Sequence, residues 1–152
     1  MAQTTPRPKR PLWHYIVAGF IISIPIAWLT MPEPAPPTVP KEAIDDAVAF
    51  IMQDPLVQNA AIRIEDRQIV LAIVANRAIN QQYARQLGDN FARYFATATA
   101  GRSDDERLKK TPTRDFYGGV WEHYSGTIVI AFDADTVFQR GTLARGASTI
   151  RW

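Results

Sequence analysis

Apolar and polar positions divide the chain into one long apolar run and a series of shorter, periodic patterns. The run occupies residues 12–31, twenty positions without an acidic or basic charge. A bilayer core of about 30 Å is crossed by about 20 helical residues that rise about 1.5 Å each, so we predict a transmembrane helix here. A cleaved secretory signal fits less well, because its apolar part is about 7–15 residues long and ends at a small-x-small site, whereas prolines follow Met31.

Shorter patterns in residues 41–152 predict a small α+β domain. Two stretches have apolar residues at helical spacing, and four have the alternating or continuous apolar pattern of strands. The second predicted strand is apolar on both faces, which is typical of a strand inside a sheet. The order αββαββ predicts a two-layer α/β sandwich with a mainly antiparallel sheet. The predicted helices lie near residues 40–53 and 76–101, and the predicted strands near residues 62–65, 68–75, 127–132 and 136–140.

Basic residues around the apolar run predict its orientation. Residues 1–11 contain three Lys or Arg, whereas the first basic residue after the run is Lys41. The positive-inside rule therefore places the N-terminus in the cytoplasm and the bulk of the chain outside. The resulting prediction is a single-pass protein of the inner, or cytoplasmic, membrane. Its parts are a cytoplasmic basic tail (1–11), a transmembrane helix (12–31), a proline-rich spacer (32–40) and a periplasmic α+β domain (41–152).

The spacer is predicted from its proline content. Residues 32–40 read PEPAPPTVP, with five prolines in nine positions. Prolines at this density hold the backbone near the polyproline II conformation, at about 3.1 Å per residue, which corresponds to about 28 Å here. We therefore expect a semi-rigid linker that separates the domain from the membrane.

Charge and cysteine content exclude several classes of function. The chain has a pI of about 9.1. However, three of its 17 Lys and Arg residues belong to the tail, so the remainder carries 14 of them against 15 Asp and Glu. A part without basic excess is not expected to bind nucleic acid. The absence of cysteine excludes disulfides, thiolate catalysis and covalently attached c-type haem.

Candidate catalytic and metal-binding groups are too few to predict an enzyme. His123 is the only histidine outside the apolar run, while a zinc site needs three or four ligands. Asp133 and Asp135 lack the further oxygen ligands of a calcium loop, and a hairpin turn explains them better. His123 and Ser125 lack a nucleophile elbow and a third catalytic member. We predict no catalytic residue, no metal site and no cofactor.

A stripe of small residues in the apolar run predicts a contact with another membrane helix. Small residues four positions apart lie on one face of a helix and let a second helix approach closely. The predicted helix–helix contact residues are Gly19, Ser23 and Ala27.

An aromatic segment predicts the partner contact of the outer domain. Residues 116–124 read FYGGVWEHY, and the Gly118–Gly119 pair indicates a pliant loop. Aromatic anchors dominate interface hot spots. The alternative is that Trp121 caps the domain's own core, because large aromatic side chains are mostly buried, and the sequence leaves both possibilities open. The predicted docking residues are Phe116, Tyr117, Trp121 and Tyr124.

Together these features predict a non-catalytic, membrane-anchored interaction module. We expect a supernumerary or assembly subunit of an inner-membrane complex, either bioenergetic (respiratory or photosynthetic) or belonging to envelope secretion. Its partners would be the membrane and other membrane-protein subunits. The alternative is an envelope module that binds lipid or cell-wall material. The order of elements resembles that of small envelope modules such as the BON domain and the ring-building modules of secretion systems, and no functional residue is carried over from either.

Overall fold

Residues 33–152 are described by a computed structural model, and their helices and strands follow the predicted order. A 3₁₀ turn and a third, one-turn helix lie between the second long helix and the third strand. The small α+β domain predicted from the sequence is therefore confirmed. The helices are α1 (Lys41–Ile51), α2 (Gln81–Arg102) and α3 (Val120–His123), the 3₁₀ turn is Glu106–Leu108, and the strands are β1 (Val57–Glu65), β2 (Gln68–Ala75), β3 (Ser125–Ala131) and β4 (Val137–Leu143).

Part of the predicted organisation lies outside the described residues. This part comprises the basic tail, the apolar run at residues 12–31 and Pro32, together with the stripe of Gly19, Ser23 and Ala27. Within residues 33–152, no helix has the length and apolar content needed to cross a bilayer.

The four strands form one mixed sheet in the order β1-β2-β3-β4. The outer pairs are antiparallel, whereas β2 and β3 are parallel, with Gln68 opposite Ser125 at the start of both strands. The predicted mainly antiparallel sheet was therefore wrong at its centre. The reason is the connection between β2 and β3. Helix α2 carries the chain back to the end of the sheet at which β2 begins, so β3 starts at that end and runs in the same direction as β2. The internal position of β2 agrees with its apolar pattern.

The core lies between the helices and one face of the sheet. Side chains alternate across β2 and β3, and every second one points toward α2. Phe91 and Phe95 of α2 are fully buried against these strands. The core side chains that the two central strands contribute are Ile69, Leu71, Ile73, Ile128 and Ile130.

Helix α2 begins four residues later than its sequence pattern suggests. Asn80, and not Asn76, is its N-cap, because the Asn80 side chain accepts a hydrogen bond from the Tyr83 backbone N–H at 2.8 Å. The Asn76 side chain instead accepts from the Ala78 N–H at 2.9 Å, which forms a local turn. Asparagine stabilises both structures through the same short-range bond, so the pattern alone does not distinguish them.

Candidate functional site

Three of the four predicted docking residues are part of the core. Tyr117 and Tyr124 are each 4% exposed and Trp121 is 1% exposed, while Phe116 is half-buried. Side chains buried to this extent present almost no surface to a partner. The burial thus argues against the docking hypothesis for these three residues and agrees with the alternative that Trp121 belongs to the core.

Trp121 is held by contacts on several sides. Its ring meets that of Phe95 edge to face, with 5.8 Å between centroids, and its Nε1–H donates to the Ala92 carbonyl at 3.1 Å. On another side the ring lies against Gly126, where an added Cβ would be 2.7 Å from it. The indole therefore joins α2 to the start of β3, and its polar atom is satisfied within the core.

Tyr117 is fixed by an ionic cluster on α2. Its hydroxyl donates to the Asp89 carboxylate, which also accepts from Arg93 Nε at 2.9 Å. The Arg93 guanidinium carbon lies 4.2 Å from the centre of the Tyr117 ring. Burial, followed by the bond to Asp89, raises the pKa of Tyr117 to about 12. Tyr117 therefore stays a protonated donor near neutral pH, which suits a structural role better than acid–base chemistry.

Tyr124 holds the proline-rich segment against the domain. Its hydroxyl donates to the Pro37 carbonyl at 2.7 Å, and Pro37 itself is buried. Arg67, in the turn between β1 and β2, also donates to the Pro34 carbonyl. We call residues 33–40 the strap, and the end of the sheet where β2 and β3 begin the strap end. The strap contains no helix or strand, and it is bound to the domain through Glu33, Pro34 and Pro37, whereas the sequence predicts a free spacer.

The first described residue of the strap is held by two arginines. Glu33 Oε1 accepts from Arg145 Nη1 at 2.7 Å and lies 3.5 Å from Arg67 Nη1. The hydrogen bond from Arg145 lowers the pKa of the Glu33 carboxyl group. A carboxylate with a lowered pKa contributes its interaction above its ordinary pKa and loses it as the pH falls through the lowered value. The contact is therefore present at neutral pH and is released in acid.

An open cleft of about 570 Å³ lies at the strap end, on the sheet face opposite the helices. Thr127 and Thr142 are cross-strand partners on this face, and the Thr127 hydroxyl accepts from Gln68 Nε2 at 3.0 Å. Thr142 also pairs with Arg151 through two backbone hydrogen bonds of 2.8 and 2.9 Å. Sequence reasoning missed this cleft, because its residues come from three strands and the C-terminal segment and share no local pattern.

Arg151 is the charged side chain that lines the cleft. No carboxylate within residues 33–152 forms an ion pair with its guanidinium group. By contrast, Arg67 and Arg145 share the single carboxylate of Glu33. At the strap end, Arg151 is thus the arginine without an ion-pair partner among residues 33–152, while Asp66 lies beside Arg67 in the β1–β2 turn.

The polar residues considered for catalysis have local structural partners. Asp133 Oδ1 accepts from the Asp135 N–H at 3.1 Å, and Asp133 Oδ2 accepts from Arg77 Nη2 at 2.8 Å, as fits the predicted hairpin turn. The Ser125 hydroxyl donates to the Arg67 carbonyl oxygen at 3.3 Å. Across residues 33–152, no group of three or more His, Cys, Asp or Glu side chains is arranged to hold a metal ion.

Comparison with known proteins gives little further guidance. No protein-family model and no curated protein matches the chain. One similar solved structure is described as the crystal structure of sex pheromone staph-cAM373 precursor, with 12% sequence identity and a TM-score of 0.42. The match covers 74% of this chain and 39% of that one, so the chain spans well under half of that protein's length. A similarity this low says nothing about what the chain does.

Proposed function

We propose that the chain is a non-catalytic, membrane-anchored interaction module, a supernumerary or assembly subunit of an inner-membrane complex. The complex is bioenergetic, respiratory or photosynthetic, or belongs to envelope secretion. In this proposal residues 12–31 form a single transmembrane helix, with the N-terminus in the cytoplasm and a two-layer αββαββ domain in the periplasm. The observation that carries the proposal is the uncharged run of twenty residues, whose length matches a bilayer core.

The strap supports a close association of the domain with the membrane. Met31 ends the apolar run, and Glu33 is already bound to Arg67 and Arg145 of the domain. Two residues of extended chain span at most about 7 Å. If residues 12–31 cross the bilayer, the strap end of the sheet therefore lies at the membrane surface, and not about 28 Å above it as a free polyproline spacer would allow.

The alternative function is an envelope module that binds lipid or cell-wall material. The polar cleft at the strap end favours lipid over glycan within this alternative. Glycan binding usually places an aromatic side chain against the apolar face of a sugar ring, and no aromatic side chain lines the cleft. Co-purification in mild detergent, with mass spectrometry of bound proteins and lipids, distinguishes a subunit from a lipid-binding module.

Topology provides the first test of the anchor. Because the chain has no cysteine, single variants report on single sites. Ser148 is exposed, so Ser148→Cys is expected to react with an impermeant maleimide in intact spheroplasts. Thr4→Cys is expected to react only after the membrane is permeabilised, because the positive-inside rule places it in the cytoplasm. The reverse pattern of labelling would refute the orientation, and labelling of a protein that stays in the soluble fraction would refute the anchor.

The small-residue stripe provides a test of complex formation. Gly19→Leu adds bulk where a second helix would approach, and it is expected to lower the yield of co-purified partner about tenfold. Ile22→Leu preserves volume and lies off the stripe, so its yield should equal that of the wild type. Quantitative mass spectrometry of both pull-downs, normalised to the bait, provides the comparison. Equal losses in both variants, or in neither, would remove the stripe from the proposal.

A further inference from the structure

If residues 12–31 cross the bilayer, the strap end combines a bilayer-facing position with an open polar cleft. The position follows from the strap, because Glu33 comes two residues after the apolar run and is bound by Arg67 and Arg145. Ala144 and Gly146 line the cleft on either side of Arg145. The cleft and the point where the chain would enter the membrane are therefore neighbours.

The lining of the cleft has the chemistry of a site for an oxyanion. None of its lining residues is acidic or aromatic. The Arg151 guanidinium, which has no ion-pair partner among residues 33–152, is a planar donor that suits phosphate oxygens, and hydroxyl groups donate to the remaining oxygens. The Ser125 hydroxyl already donates to the Arg67 carbonyl oxygen at 3.3 Å, so the donors left for a ligand are those of Thr127, Thr142, Ser148, Thr149 and Arg151.

We propose that this cleft binds the phosphate group of an anionic phospholipid in the membrane that holds the chain. The inference rests on the proposed function, because it needs residues 12–31 to span that membrane. A lipid is favoured over a free anion because the cleft would face a surface where headgroup phosphates are held at high local concentration. Anionic lipids are favoured over zwitterionic ones because the Arg151 guanidinium of the cleft gains about 1 kcal/mol near an anionic surface.

The experiment uses the full-length chain in lipid nanodiscs. Ala144→Cys places one thiol at the cleft without removing a donor, because Ala144 is an exposed lining residue, and its rate of reaction with a neutral polyethylene-glycol maleimide reports access. In discs that contain phosphatidylglycerol the rate is expected to be several-fold lower than in pure phosphatidylcholine discs, and high salt should reduce the difference. Gln58→Cys is the matched control, because Gln58 is exposed at the opposite end of β1. Its rate should be the same in both discs.

Charge variants test whether Arg151 causes the difference in labelling rate between the two kinds of disc. Arg151→Gln in the Ala144→Cys background is expected to abolish the lipid difference, and Arg151→Lys to retain part of it. Arg114→Gln removes an equal charge from an exposed loop and should leave the difference intact. The Arg151 substitutions keep the pairing with Thr142, because that pairing uses backbone atoms. Circular dichroism checks that each variant is folded.

Each remaining outcome decides between the proposals. Equal labelling rates in both kinds of disc for the cleft cysteine variant that retains Arg151 would overturn the lipid inference and leave the proposed anchor in place. Labelling is also compared in inorganic phosphate and in chloride at equal ionic strength. If phosphate slows labelling and phosphatidylglycerol does not, the ligand is a free anion, and the lipid inference is overturned. A chain that does not enter nanodiscs at all would overturn the proposed anchor and the inference with it.

Discussion

The Trp121→Ala variant is expected to unfold at a Tm about 10 °C or more below that of the wild type. Trp121 is 1% exposed, and truncating a buried tryptophan to alanine costs about 3–5 kcal/mol of unfolding free energy. The loss has three sources: the apolar surface of the ring, its edge-to-face contact with Phe95, and the hydrogen bond from its Nε1–H to the Ala92 carbonyl. Thermal unfolding of the full-length chain, followed by circular dichroism, measures the shift.

Phe116→Ala is the matched control for this prediction. Phe116 belongs to the same aromatic segment but is only half-buried, so a smaller loss of about 1 kcal/mol is expected. Partner retention is measured on the same two variants. The docking hypothesis predicts a different result, namely an unchanged Tm for Trp121→Ala together with loss of the co-purified partner. That result would show that the ring leaves the core to make its contact.

Gly118→Ala is expected to destabilise the domain by about 3 kcal/mol. Gly118 has φ of +107°, a conformation that residues with a Cβ rarely adopt, and its Cβ would lie 2.7 Å from the Ala96 Cβ on α2. The backbone conformation and the steric overlap each cost about 1–3 kcal/mol. Gly119 is also packed closely, since a Cβ there would lie 2.7 Å from the Arg107 carbonyl oxygen. The glycine pair therefore permits close approach of a packed segment, in place of the pliant loop predicted from sequence.

Gly101→Ala is expected to stabilise the domain, in contrast to Gly118→Ala. Gly101 lies in the last turn of α2 with no heavy atom within 4 Å of its added Cβ. Alanine has a higher helix propensity than glycine, so this variant should be stabilised by up to about 1 kcal/mol. Urea unfolding followed by tryptophan fluorescence compares the two variants. A Gly118→Ala protein as stable as Gly101→Ala would show that the segment relaxes away from α2.

The same segment shows how far sequence reasoning reaches at a candidate site. Its aromatic richness was visible in the sequence, and so was the possibility that Trp121 belongs to the core. What the sequence could not supply was the surface opposite each ring. Phe95 and Ala92 contact the Trp121 indole, and both lie on α2, which is distant from Trp121 along the chain. An aromatic residue in an apparent loop is therefore ambiguous until the helix that packs against it is placed.

The strap illustrates the same distinction for a linker. Proline content predicts that residues 33–40 form no helix or strand, because proline removes a backbone donor and restricts φ without reference to the rest of the chain, and none is assigned there. Whether an extended segment stands free or lies on the domain depends on distant partners. Here the partners are the Tyr124 hydroxyl and the guanidinium groups of Arg67 and Arg145. None of these groups is recognisable as a partner from sequence spacing.

The sequence by itself determined the order of helices and strands and the internal position of β2, since both depend on local periodicity and on side chains within a few residues of each other. Only the tertiary structure decided the parallel pairing of β2 with β3, the burial of Trp121, the docking of the strap and the assembly of the cleft around Arg151. These four features are contacts between residues far apart in the chain. Their free energy depends on the relative placement of whole elements, which no local pattern of apolar and polar residues encodes.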